Sequence, residues 1–376
     1  MASLKYWLWL ASLPGVGGVM KNRLLEHFGG PEEVYCSDSG EYFLVEGMTR
    51  AAAARLEEKS LEEADRILGD CDRLGLRILT LRDTEYPDRL RNIYDPPLVL
   101  YVQGRLPLMD DEVAIAMVGT RKASPYAQEM GEKLAFQLAG LGAVVVSGLA
   151  AGGDAAAHRG ALRAGGLTVA VIGGGHDIIY PARNRGLYED IAVRGAILSE
   201  YPPGTKHEGA HFPVRNRIIS GLSLGVVVME APERSGALIT ASRALDQGRD
   251  VFAMPGQMDD WHCAGSNKLL RDGAGVVTDA WTSSATMPAA TPTRSGASAR
   301  RSRRSSARLR GQLRQLLRQR GRRRRRPICR CWTSPPATTA SPTTRSASSV
   351  PSRAARSRWT TSSRRRRSPP AGCCPP

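Results

Sequence analysis

Arg215, Asn216 and Arg217 stand in the stretch FPVRNRIISGLS, directly in front of an apolar run. A guanidinium is always charged and carries a planar fork of donors. Two of them around an amide therefore suit an anion: a catalytic carboxylate, a nucleotide, or a nucleic-acid backbone. Two residues apart on a helix, the arginines cannot both sit centrally on one face. One faces a ligand while the other pairs with an acid, or both belong to a salt-bridged helix start with no ligand at all.

Other loops carry compatible chemistry. VGTRKAS places a glycine, Arg121 and Lys122 after an apolar run; as a lone motif this is weak. SGLAAGGDAAAHRGAL offers the Ser147 hydroxyl and the amides of Gly148 and its neighbours at a helix start, where anions are favoured. Asp154 and His158 follow four apart on one helix face. With no nucleophile beside them they read as a structural contact rather than an acid–base pair. GGGHDIIYPARNRGLY sets three glycines before Tyr180 and then Arg183, Asn184 and Arg185. In EAPERSGALITASRAL, Ser235 and Gly236 open another helix, and Gly265-Ser266-Asn267 closes the series. Arginines, amides and hydroxyls at such a rim suit a sugar-phosphate backbone. Lys206 lies just upstream. Phe212 either stacks on a base or belongs to the core. No metal cluster, Walker lysine loop or nucleophile with its base is present, and no cofactor is implied.

The elements that must position these loops are α/β. From about residue 112 to 282, six apolar runs (VAIAMVG, AVVVSG, LTVAVIGG, GAILSEY, LGVVVMEA and DVFAMPG) alternate with helix-like segments. Continuous apolar runs suit a mostly parallel sheet covered on both faces, a Rossmann-like domain that binds ligands at its carboxyl ends. Residues 1–80 read as helical. LPGVGGVMKNRLLEHFG has the form of a helix-hairpin-helix (the SAM-like type of domain); its turn and helix N-terminus would hold a phosphate, or it is an ordinary helix turn. TRAAAARLEEKSLEEADRILGDCDRLG continues as helix to Gly75, and residues 81–111 read as connecting strands and loops. The opening MASLKYWLWLASLPGVGG reads as a packed helix rather than a leader, and no stretch reaches the ~20 apolar residues of a membrane span.

The chain has 376 residues and a net charge of +17, which read naively says nucleic-acid binder. The charge is uneven. Of 53 lysines and arginines, 24 arginines lie beyond residue 287, leaving 29 cations against 36 acids, a net of −7. Any basic site in the body is therefore local. Scattered cysteines suit a reducing cytoplasm. Residues 283–376, rich in Arg, Ser, Pro and Ala, read as a disordered basic tail. Codon logic offers another reading. Read two bases out of phase, Cys331-Trp332-Thr333 gives Leu-Asp, and RWTTSS can give LDDLE. The hypothesis is a frame slip near residues 286–300 that hides a helical domain; resequencing the gene decides it, an intact frame sinking the idea.

Taken in order, GTRKASPYA, SGLAAGGDAAAHRGAL, VAVIGGGHDIIYP, FPVRNRIISGLSLGVVVMEAPERSGALITASRALDQGRDVFAMPG and GSNKLLRDGA resemble the DNA-processing protein A family (DprA/Smf) over essentially all of 110–282. The helical N-terminal part is similar more weakly. Gly153 departs from the family, which usually carries Ile there, and the winged-helix domain of many members is missing where the tail stands. The resemblance implies a non-enzymatic binder of single-stranded DNA. Such a protein protects incoming strands in natural transformation, helps displace single-strand-binding protein, loads the RecA recombinase, and works as a dimer through its Rossmann-like domain. Carried onto the matching positions, it implies a DNA pocket of Arg121, Ser147, Gly148, Arg215, Asn216 and Arg217, with Lys206 and Phe212 beside it. A nucleoside-monophosphate-cleaving enzyme is the alternative. Such Rossmann-like relatives carry a Gly-Gly-x-Gly-Thr-x-x-Glu loop, but here SGALITASRAL has Ser242-Arg243 where the Glu is sought.

Overall fold

A computed structural model describes residues 2–280. The basic tail, the frame slip and the winged-helix position fall outside the described residues.

Six helices open the chain: α1 (Ala2–Ser12), α2 (Gly18–Phe28), α3 (Pro31–Cys36), α4 (Ser39–Tyr42), α5 (Arg50–Leu56) and α6 (Glu62–Leu74). The apolar run at the start becomes α1, with Trp7, Leu8, Trp9 and Leu10 all buried at the centre of this cluster. α6 ends at Gly75 as expected, in the left-handed conformation a helix C-terminus asks of glycine. The single helix expected before it is broken between Leu56 and Glu62. There Lys59 turns inward, donating to the carbonyls of Val34 and Ser37 and lying over the rings of Trp9, Tyr35 and Tyr42. Those contacts outweigh helix continuity.

One nine-stranded sheet carries the rest: β1 (Arg77–Thr80), β2 (Val99–Gly104), β3 (Ala114–Val118), β4 (Val144–Ser147), β5 (Thr168–Ile172), β6 (Ala196–Ser199), β7 (Gly225–Val228), β8 (Asp250–Ala253) and β9 (Gly275–Val276). Their order is β1-β2-β6-β5-β4-β3-β7-β8-β9. The six apolar runs are β3 to β8, all parallel, and β3 to β7 are buried along their whole length. The connecting segment contributes β2, which pairs antiparallel with β1 and with β6, so the sheet begins well before residue 112.

After α7 (Asp88–Arg91), the helices α8 (Pro125–Gly140), α9 (Gly153–Arg163), α10 (Arg185–Arg194), α11 (His211–Gly221), α12 (Gly236–Asp246) and α13 (Ala264–Arg271) cover the sheet. Ile218, Ile219 and Leu222 from α11 and its end join Ala237, Ala241 and Ala244 of α12 in the core on one face. Leu134, Ala135 and Leu138 of α8 with Ala157 and Ala161 of α9 fill the other. Strand order reverses between β3 and β7, the topological switch point at which an open α/β sheet offers its crevice.

Candidate functional site

A cavity of about 310 Å³ opens at that switch point. Its walls come from the loop after β3 (Gly119 to Lys122), from Ala150 and Asp154, from one face of α11, and from Pro232 to Gly236 at the start of α12. Phe212, Arg215, Asn216 and Ile219 all line it, the i, i+3, i+4, i+7 spacing of one helical stripe.

Arg217, about 200° round the helix from Arg215, is turned away from the cavity. Its Nη2 meets Glu200 Oε1 at 2.6 Å and its Nε meets Asp95 Oδ2 at 3.4 Å. Burial works against its charge, but Glu200 and Asp95 outweigh that and hold its pKa up. The second arginine is thus paired with acids of its own chain, although its Nη1 is buried without a partner.

Arg215 is different. It is 4 % exposed, donates from Nη1 to the Val171 carbonyl at 2.7 Å, and leaves Nε with no partner. Burial pulls its pKa down to about 10, against Asp154 and with Arg121. Burial likewise pushes the Asp154 carboxyl up, while Arg215 and backbone amides resist. Gly148 makes this arrangement possible: a Cβ there would lie 1.8 Å from Arg215 Nη1 and 2.6 Å from Asp154 Oδ2. Its contribution is room for the guanidinium.

Arg121 stands exposed at the mouth, its guanidinium carbon 4.5 Å from the Phe212 ring centre. The loop that carries it is fixed from several sides. Thr120 N–H donates to the Glu230 carbonyl, while the buried Glu230 carboxylate accepts from Ser124 N–H and hydroxyl. A Cβ on Gly153 would sit 2.9 Å from the Gly119 Cα, so the departure at this position lets the β3 loop lie directly on α9. Opposite, Ser235 caps α12 by accepting from Ala237 N–H at 3.3 Å, and Asn216 Nδ2 donates to the Gly236 carbonyl at 3.3 Å. The space above Gly236 is open. A helix N-terminus, an under-partnered buried guanidinium and two exposed cations, Arg121 and Lys122, thus converge on one cavity, which is what an anion needs.

The cavity brings together Arg121, Phe212, Arg215, Asn216, Ser235 and Gly236. Gly148 lies behind Arg215 without lining the cavity, and four other candidates lie elsewhere. Ser147 is fully buried and its hydroxyl donates to the Met117 carbonyl at 2.6 Å, clamping β4 to β3. Asn267 spends its amide on Gly256 and Gln257, bracing the loop after β8. Lys206 is exposed on the loop after β6 but does not line the cavity. Arg217 is the fourth. Arg234 was missed: a cation immediately before a serine N-cap was its signal.

Asp154 and His158 do not act together. The Thr168 hydroxyl donates to the Val145 carbonyl, so it must accept from His158 Nδ1–H at 2.7 Å. His158 Nε2 is left bare and buried, and burial lowers its pKa to about 3. The hairpin between α1 and α2 also has an internal anion. Asp95 Oδ1 lies where a Gly18 side chain would be, 2.4 Å from its Cβ position, and Lys21 is buried with Nζ 2.5 Å from the Ala11 carbonyl.

A doubly wound sheet with an arginine-lined crevice at its switch point is a Rossmann-like architecture whose crevice has the chemistry that suits an anion. A family model described as DNA recombination-mediator protein A matches residues 77–287, and the chain belongs to that family. It is 41 % identical over 280 residues to a Protein Smf of Synechocystis, covering 72 % of this chain and 69 % of that one. It is 41 % identical over 232 residues to the DNA processing protein DprA of Bacillus subtilis, covering 61 % and 78 %. The solved structure of DprA from Streptococcus pneumoniae superposes with a TM-score of 0.65 at 35 % identity, over 75 % of this chain and 97 % of that one. A DNA processing protein A from Helicobacter pylori, solved for its single-stranded DNA binding mode, gives 0.50 at 32 %, over 55 % and 93 %.

Proposed function

We propose that this protein binds single-stranded DNA, a backbone phosphate entering the cavity between Arg215, Arg121 and the start of α12. The observation that carries this reading is Arg215. It is buried, charged and short of one hydrogen-bond acceptor, at the wall of an open cavity. The Helicobacter relative, a protein with a single-stranded DNA binding mode of its own, supports the same ligand. On family grounds the bound strand is incoming DNA in natural transformation, protected in the cytoplasm, freed of single-strand-binding protein and passed to RecA by a homodimer. The role is binding rather than catalysis: the one carboxylate in the cavity wall, Asp154, is raised by burial and held beside Arg215. By that reading Arg121, Arg215, Asn216, Ser235 and Gly236 touch DNA, Phe212 flanks it, and Gly148 and Arg217 position the arginine helix.

The test is the salt dependence of binding by the full chain. The tail contributes equally to wild type and variant, so their difference reports the cavity. Arg121→Ala should weaken binding to all sequences alike and flatten the slope of log K against log salt by about 0.7, the value for one phosphate on a single strand. An unchanged slope and affinity would remove Arg121 from the site.

A further inference from the structure

Phe212 cannot offer a free ring to a base. Arg121 lies over it at 4.5 Å, Arg215 at 5.8 Å, and Tyr180 packs against it at 5.9 Å. The free aromatic surface is one ring further out. Tyr180 is 47 % exposed and stacks on His207 with ring centres 5.6 Å apart and planes 28° apart. His207 in turn lies nearly parallel to Phe212, 6.5 Å away at 22°. This layer is held rigidly. His207 Nε2–H donates to the Ile178 carbonyl at 2.6 Å, and Gly174 after β5 lies directly against it: a Cβ there would meet the His207 ring at 2.9 Å. Of the three glycines, Gly174 is thereby explained by aromatic packing, while Gly175 leaves room for the Asp177 carboxylate and the backbone of Pro202 and Gly204. Exposed cations are close in sequence to the layer, Lys206 next to His207 and Arg183 and Arg185 shortly after Tyr180.

Accepting the phosphate site proposed above, we infer that Tyr180, backed by His207 and Phe212, is a stacking platform for an unpaired nucleobase of the same strand. Three features favour a nucleobase over another flat ligand. The platform continues the cation-lined cavity through Phe212, which both arginines contact. Its outer face is open. The cations close to it in sequence suit the phosphate a nucleotide brings with it. A paired base hides its face in the duplex stack, so the platform selects single strands.

The test compares full-chain binding of an oligothymidylate with an equally long abasic oligonucleotide, by fluorescence anisotropy at fixed salt. The backbone charge is the same in both, so phosphate contacts and the basic tail cancel. Wild type should prefer the base-bearing strand by about five- to 150-fold, the range of one base–aromatic stack. Tyr180→Leu should lose that preference while keeping its affinity for the abasic strand; Tyr180→Phe should retain it. Quenching of a 2-aminopurine strand by wild type and Tyr180→Phe gives the same reading without relying on the leucine variant to fold. Equal binding of both strands by wild type, or equal loss on both in Tyr180→Leu, overturns the platform and leaves the phosphate site standing. Failure of wild type to bind either strand overturns both.

Discussion

Two polar regions meet on α11, one on each side, and they are built on opposite rules. On the cavity side Arg215 has a carbonyl, a neighbouring Asp154 whose pKa is raised, and an Nε without a partner. On the other side, a seam joins the α1–α2 hairpin to the sheet. There Arg217 has two carboxylates, Glu200 and Asp95, and the buried Lys21 stands close enough for both acids to act on it. Each guanidinium keeps one buried N–H without a partner, Nε of Arg215 and Nη1 of Arg217, but Arg217 is paired with two carboxylates inside the seam, whereas Arg215 lines an open cavity where a ligand can reach it. Residue type does not separate the two, and neither does spacing along the helix.

The sharpest way to break this contrast is to remove each arginine's function separately. Arg217→Met strands two acids that are each about a quarter exposed, and should destabilise the fold by about 3 kcal/mol, the lower end for breaking a buried pair. Urea midpoints measure it. The folded protein should still bind DNA, and a selective loss of binding at unchanged midpoint would put Arg217 in the site.

The two sides should also answer to different pH ranges. Lys21 falls from 10.5 to about 8, through burial, against Glu200 and Asp95. Between pH 8 and 10 the unfolded chain therefore keeps the Lys21 proton that the folded one has lost, and Lys21 contributes a rise in stability with pH of up to about 1.4 kcal/mol per unit. His158, behind the cavity, falls from 6.5 to about 3, through burial and then Arg215. Below pH 6.5 the unfolded chain takes up a proton that the folded one refuses, so stability falls on acidification towards 3 at a similar limit. Denaturant midpoints across both windows check this. Relative to wild type, Lys21→Met should show a less favourable alkaline trend and the same acid limb; parallel alkaline limbs in the two would show that Lys21 is not held in the seam.

The smallest effect sharpens the cavity side. Gly148→Ala places a methyl on the Arg215 guanidinium without changing any charge. It should weaken single-stranded DNA binding about tenfold, roughly 1.4 kcal/mol, in a titration at constant salt, while leaving the Lys21-dependent alkaline rise intact. Unchanged affinity would mean that the position of Arg215 is immaterial.

Much of this was legible. The strands β3 to β8 showed as continuous apolar runs ended by glycine or polar residues, because a sheet covered on both faces has no polar side to alternate with. That only one of Arg215 and Arg217 could face a ligand followed from helical geometry; which one did not, because the answer depends on Glu200 and Asp95, one far away in sequence. Ser147 and Asn267 had the right chemistry in the right loops. Their groups are spent on Met117, Gly256 and Gln257, and a sequence does not show which donors are already used. The break before α6 was hidden for the same reason, since an inward lysine meets its carbonyls from α3 and its end.

β2 has a consequence for how the chain can be divided. Its residues alternate between two cores: Val99 and Tyr101 pack among the N-terminal helices, while Leu100 and Val102 pack within the sheet. One short strand is a party wall shared by two rooms. Neither half closes without it, so a cut on either side leaves one interior with a missing face. The helical and Rossmann-like parts are distinct in appearance, yet with a wall held in common they should melt together, in one transition.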